Sequence, residues 1–144
     1  SEVRTLSALT LLVDCYNANP QSLRAALDVL VSMEAEAGRV AVLGSMLELG
    51  QESAILHRRS LEEALSLPID LMVVTGLFAD AARDLEAEAV GGNPICASDL
   101  DEARDLLLQR LKGGEVVLLK ASRGVALERL IPSLEARFGT VEVS

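Results

Sequence analysis

Apolar runs of strand length alternate with amphipathic runs of helix length along this sequence, and few folds accommodate that order. A strand that is apolar throughout must be covered on both faces, which calls for a parallel sheet between two layers of helices. The first such run is Ala8 to Asp14 (ALTLLVD). Asn19-Pro20 then opens a helix, with Asn19 as its N-cap and Pro20 in the first helical position. Leu23, Ala26, Leu27, Leu30 and Val31 fall on one stripe of that helix. Gly38 ends it, and Arg39 to Gly44 (RVAVLG) predicts a second strand. A loop bounded by Gly44 and Gly50 leads into a helix over about 52–66, which Pro68 stops. Asp70 to Thr75 is expected as the third strand, Phe78 to Ala89 as a helix, and Pro94 to Ala97 as the fourth strand. Ser98, with Asp101 three residues on, resembles a capping box for a helix reaching Leu111. Glu115 to Lys120 (EVVLLK) predicts the fifth strand, Gly124 to Arg137 a last helix with Pro132 as its weak point, and Thr140 to Val143 a short final strand. The expectation is an α/β fold: a Rossmann-like, doubly wound three-layer sandwich of about six strands, mostly parallel, the last antiparallel. Residues 1–144 read as a single domain, the size of one ordinary folding unit.

Charge and composition narrow what such a domain binds. Acidic residues outnumber basic ones 22 to 13, so the formal net charge is −9 and neither nucleic acid nor an anionic membrane is an expected partner. Aromatic residues make up 2% of the chain, too few for a base-stacking platform. No apolar run approaches the roughly 20 residues that span a bilayer. Cys15 and Cys96 stand far apart in apolar stretches, and with a single His the chain offers no clustered zinc ligands, so no metal site is expected. Two free thiols in a reducing cytoplasm fit this pattern better than one long-range disulfide.

In doubly wound sheets ligands bind beyond the carboxyl ends of the strands. Three of those ends carry unusual chemistry. Asp14-Cys15-Tyr16-Asn17-Ala18-Asn19-Pro20 sets a carboxylate, the only tyrosine and two amides before a helix N-terminus. It suits a polar, negatively charged ligand, and suits equally a capped turn in which Asn17 and Asn19 bond only to backbone. Lys120-Ala121-Ser122-Arg123-Gly124 concentrates cations at a strand end in an acidic protein. The alternative is a snorkelling Lys120 and an Arg123 paired with a neighbouring Glu. Gly44-Ser45-Met46-Leu47-Glu48-Leu49-Gly50, followed by His57, reads as a hinge or a covering loop, with His57 as a structural hydrogen-bonding residue. No GxxxxGK[ST] loop occurs, so these 144 residues cannot cradle a triphosphate in the P-loop manner, and no GxGxxG follows the first strand. A receiver-domain reading fails because Thr75-Gly76 stands where the phosphorylated Asp would be required.

Asp14 to Pro20, with Ser22 and Ala25-Ala26-Leu27, resembles the start of the C-terminal domain of the Mur ligase family. Val42 to Gly50, His57, and Leu119 to Gly124 with Glu128 agree with that family in order and spacing, so the resemblance covers nearly the whole chain. The Tyr-Asn-Ala-Asn-Pro form resembles the branch that adds D-alanyl-D-alanine to UDP-N-acetylmuramoyl-tripeptide. The resemblance implies an ATP-dependent amide ligase of peptidoglycan synthesis, and so of cell-wall biogenesis, cell shape and division. In that family the substrate carboxylate is phosphorylated and the dipeptide amine attacks the acyl phosphate. ATP and magnesium would be held mainly by a central domain and the UDP-sugar by an N-terminal one, both outside these residues. By the same resemblance Asp14, Tyr16, Asn17 and Asn19 would line the nucleotide, and Lys120, Ser122 and Arg123 would face the dipeptide. Ser45, Met46, Glu48 and His57 would contribute through their loop, and the domain alone would be inactive. Folylpolyglutamate synthetases share the domain type but carry His-Asn-Pro at this turn, and they stand as an alternative beside a freestanding Rossmann-like binding module. Two positions depart from the family pattern: Ser45 replaces the acid of Gly-Asp-Met, and Ala121 replaces the first glycine of Lys-Gly-Ser-Arg-Gly. Ser45 removes a charge, and Ala121 matters if its position requires a positive φ.

Overall fold

The computed structural model describes residues 2–85 and 93–139. Its strands are β1 (Glu2–Leu6), β2 (Leu9–Asp14), β3 (Arg39–Leu43), β4 (Leu71–Thr75), β5 (Ile95–Ala97) and β6 (Val116–Lys120). Its helices are α1 (Pro20–Ser32), α2 (Ser53–Leu65), α3 (Leu77–Asp84), α4 (Leu100–Arg110) and α5 (Ile131–Phe138). The strands form one sheet in the order β1-β2-β6-β3-β4-β5, parallel from β2 to β5. The three-layer α/β architecture is therefore as expected.

Period-two alternation assigns the layers. Leu12, Ala41, Leu43 and Leu118 point to one face, where Leu23, Leu27 and Leu30 of α1, Leu61 of α2 and Phe78 of α3 cover them. Leu11, Val13, Val42 and Leu119 point to the other, beneath Leu107 of α4 and Leu134 and Phe138 of α5. Each fully buried aliphatic side chain of this kind contributes about 1.5–3 kcal/mol.

Three details differ from expectation, and two expectations lie outside the described residues. An antiparallel strand not expected from the sequence opens the sheet: β1 pairs with β2 from Glu2↔Val13 to Leu6↔Leu9. Its polar, mostly exposed residues conceal it from a search for apolar runs, and such charge is how edge strands avoid further pairing. The final strand expected over Thr140 to Val143 lies outside the described residues, as does the end of the helix expected to reach Ala89. Asp99, not Ser98, caps α4, its side chain accepting from the Glu102 amide. The last helix is broken: 3₁₀ turns at Arg123–Val125 and Leu127–Leu130 precede α5, and Pro132 stands in the first turn of α5 rather than interrupting it. Proline fits there because that turn has no use for its missing N–H. Neither cysteine is in a disulfide; Cys15 is buried and Cys96 half-buried. Among the described residues no helix is long and apolar enough to cross a membrane.

Candidate functional site

The sheet register brings three strand ends level. Asp14 at the end of β2 lies opposite Lys120 at the end of β6, and Lys120 lies opposite Leu43 at the end of β3. The chain leaves β2 and β3 toward the α1–α3 face and leaves β6 toward the α5 face. Diverging connections open a crevice between strand ends, the usual ligand position in such sheets. A cleft of about 250 Å³ lies here, lined by Tyr16, Asn17, Leu47, Glu48, Ser122, Arg123 and Gly124. Among the described residues, hollows of about 430 Å³ lie elsewhere, one beside α4 at Asp99 and Arg104, another beside α3 at Leu77 and Asp80. The cleft at Tyr16 gathers a ring, an amide, a hydroxyl and a cation from three strand ends, whereas a hollow of equal size at the β3, β4 and β5 ends, lined by Ser45, Arg83 and Ser98, offers neither a ring nor a side-chain amide.

The floor of the cleft is an ion pair. Lys120 is 2% exposed, and its Nζ lies 3.1 Å from Asp14 Oδ1 while donating to the Asn17 carbonyl at 2.5 Å. It does not snorkel. Arg123 makes no ion pair among the described residues. Its guanidinium instead lies 5.8 Å from the centre of the exposed Tyr16 ring, within cation–π range. Asn19 is the N-cap of α1, and its side chain and that of Ser22 exchange bonds with each other's backbone in a capping box. Its bonds here go to backbone, whereas exposed Asn17 lines the cleft.

The β3 loop forms the opposite wall. Gly44 is required by close approach, because a Cβ there would meet the Ala121 Cβ at 2.8 Å. Ala121 is buried and is not among the residues with positive φ, so the methyl that replaces the family's glycine fits against the bare Gly44. Ser45 is buried, and its Oγ accepts from the Leu77 amide at 2.8 Å, serving the open N-terminus of α3. Its carbonyl accepts from the Ser122 amide, and the Ser122 Oγ accepts from the Leu47 amide at 2.8 Å. The Met46 amide donates to His57 Nε2 at 2.9 Å, and Nδ1 lies 2.7 Å from the Ser53 carbonyl. A backbone N–H can only donate, so Nε2 is bare and Nδ1 carries the proton. Burial holds the His57 pKa below its usual 6.5 and keeps the ring neutral. Burial likewise pushes the Cys15 thiol up to about 11, helped by Glu128 and Asp14, so it is not a nucleophile.

The structure thus brings Tyr16, Asn17, Ser122, Arg123 and Glu48 to the cleft surface, and sets Asp14, Lys120, Ser45, Met46 and His57 behind it. Leu47, part of the Gly44–Gly50 loop but given no role from sequence, is exposed and lines the cleft, and no residue type marks it in the sequence. Among the described residues no group of three His, Cys, Asp or Glu side chains is placed to hold a metal ion.

The model of the family described as "Mur ligase, glutamate ligase domain" matches residues 2–123. The chain belongs to the Mur ligase family. It is 38% identical over 131 residues to the UDP-N-acetylmuramoyl-tripeptide–D-alanyl-D-alanine ligase of Treponema pallidum, covering 89% of this chain and 28% of that protein. The ligase of the same description from Bacillus subtilis is 31% identical over 140 residues, with 92% of this chain and 29% of that protein covered. A crystal structure of MurF from Acinetobacter baumannii superposes with a TM-score of 0.80 at 28% identity, over 94% of this chain and 30% of the other. MurF ligase from Thermotoga maritima in complex with ADP gives 0.72 at 30% identity, again over 94% of this chain and 30% of the other. This Mur ligase chain spans under a third of the length of those relatives.

Proposed function

We propose that the chain is the C-terminal domain of an ATP-dependent ligase that joins D-alanyl-D-alanine to UDP-N-acetylmuramoyl-tripeptide in the cytoplasm. The convergence of the β2, β3 and β6 ends on one cleft carries this reading, together with relatives of that description. N-terminal UDP-sugar and central ATPase domains would complete the enzyme, the latter holding magnesium. ATP would supply the phosphoryl group that activates the tripeptide carboxylate. On this side Tyr16 offers a ring face and Asn17 an amide to the nucleotide, while Asn19 fixes the turn that presents them. Arg123 and Ser122 receive the dipeptide, the guanidinium pairing with its carboxylate as a planar fork. Lys120 acts from beneath, neutralising Asp14 and holding Asn17 in place. Closure of this domain over the others would exclude water from the activated acyl group.

The test is made in the full-length protein that carries this domain. Phosphate release from ATP is expected to require both D-alanyl-D-alanine and UDP-N-acetylmuramoyl-tripeptide, and the 144-residue chain alone is expected to release none. Arg123→Ala is expected to raise KM for the dipeptide about 10- to 100-fold, the size of a lost charge-assisted hydrogen bond. Release driven by glutamate on a folate substrate would overturn the assignment, as would an unchanged dipeptide KM in the Arg123 variant.

A further inference from the structure

His57 does not line the cleft, yet one hydrogen bond to Met46 and the next peptide bond connect it to the cleft wall. The ring is 1% exposed and spends both nitrogens on backbone, accepting from the Met46 amide and donating to the Ser53 carbonyl. Met46 is itself buried. The next residue, Leu47, donates its amide to the Ser122 hydroxyl, and Leu47 and Glu48 are the cleft wall facing Tyr16 and Arg123. Glu48 takes a positive φ of 64°, a conformation that a non-glycine residue keeps only where its surroundings impose it.

We infer that His57 is a positioning residue for this cleft: its bare Nε2 anchors Met46 and so sets the Leu47–Glu48 wall against Ser122. The inference rests on the cleft being the ligand site. It assigns the chain's one imidazole a task that depends on its protonation state, because an imidazolium has no lone pair to offer the Met46 amide. The groups facing the ring are the Ser53 carbonyl and hydroxyl from α2, the Met46 amide from the β3 loop, and Phe78 from α3, whose ring meets it edge-on with centroids 4.7 Å apart. Asp80, also on α3, is the carboxylate that acts on it, favouring the charged form against the larger effect of burial. As pH falls through the lowered pKa, the Met46 bond is lost and the wall is released.

A pH titration of the 144-residue chain followed by NMR tests this without any ligand. The single histidine makes the ring signals unambiguous. The amide shifts of Met46, Leu47, Ser122 and Arg123 are expected to move with the midpoint of the imidazole itself. In His57→Gln, whose side-chain oxygen still accepts but does not titrate, those four amides are expected to lose that transition. If the Gln variant does not fold, the wild-type titration decides alone. A Met46 amide that follows the ring while Leu47, Ser122 and Arg123 do not would overturn the inference, leaving His57 a local packing residue. Failure of the dipeptide to bind at any pH would strike the proposed function instead, since the shift titration does not depend on it.

Discussion

Position 45 shows how a departure from a family pattern becomes readable once a partner is known. A Ser in place of an Asp removes a charge, but the Ser45 hydroxyl accepts from the Leu77 amide at the start of α3, a task a carboxylate also performs. Ser45→Asp is therefore expected to fold with little change, because an anion at a helix N-terminus is favourable. Ser45→Ala is expected to lose about 1 kcal/mol in urea denaturation, the usual cost of a missing cap. Gly44 is less forgiving. The Ala121 methyl occupies the space a Cβ would need, so Gly44→Ala is expected to lose about 1–3 kcal/mol by overpacking, measured the same way. The cap at Asn19 was legible because cap, Pro20 and Ser22 lie within one turn of each other. The bonds of Ser45, Leu47 and His57 were not, because their partners are 32, 75 and 11 residues away in sequence.

Among the elements, apolar strands announced themselves and polar ones did not. β2, β3, β4 and β6 were found because each is apolar on both faces, whereas β1 carries Glu2 and Arg4, paired with each other on an exposed edge. Pro132 misled for a related reason: proline marks the break of one helix and the first turn of the next with the same residue, and only tertiary packing chooses. The β2 and β6 ends are joined by more than their ladder, since Lys120 ties Asp14 and Asn17 together beneath the cleft. Lys120→Met keeps the stem and removes the charge that lies 3.1 Å from Asp14, a carboxylate 17% exposed in the native pair. A loss of about 3 kcal/mol is expected by chemical denaturation, near the lower end for breaking a buried pair because Asp14 retains some water. A stability unchanged by this substitution would mean that Lys120 is not holding the turn.

Across the whole molecule, two buried groups among the described residues act on stability from opposite sides of the pH range. The folded state holds His57 below its ordinary 6.5, so between those values the unfolded chain binds a proton that the folded one does not. Its contribution is present above 6.5 and is lost as pH falls through the lowered value. Cys15 is raised from 9.0 to about 11, so its contribution is present below 9.0 and is lost as pH climbs toward 11. Urea midpoints measured from pH 5 to 11 are expected to form a plateau between these limits, and Cys15 is expected to resist iodoacetamide at pH 8 until the chain is unfolded. The strand order carries a temporal consequence as well. β2 and β3 do not pair with each other; each pairs with β6, which the chain supplies only at residues 116–120. Without β6 nothing in the sheet joins β1–β2 to β3–β4–β5, and the β2 and β3 edges that it covers would be left unpaired. A chain ending at Gly114 is expected to show concentration-dependent light scattering and no cooperative melting, as unpaired apolar edges do. Strand β6 is thus the wedge that closes the arch, and because it also delivers Lys120, Ser122 and Arg123, the cleft comes into being at the moment the sheet becomes whole.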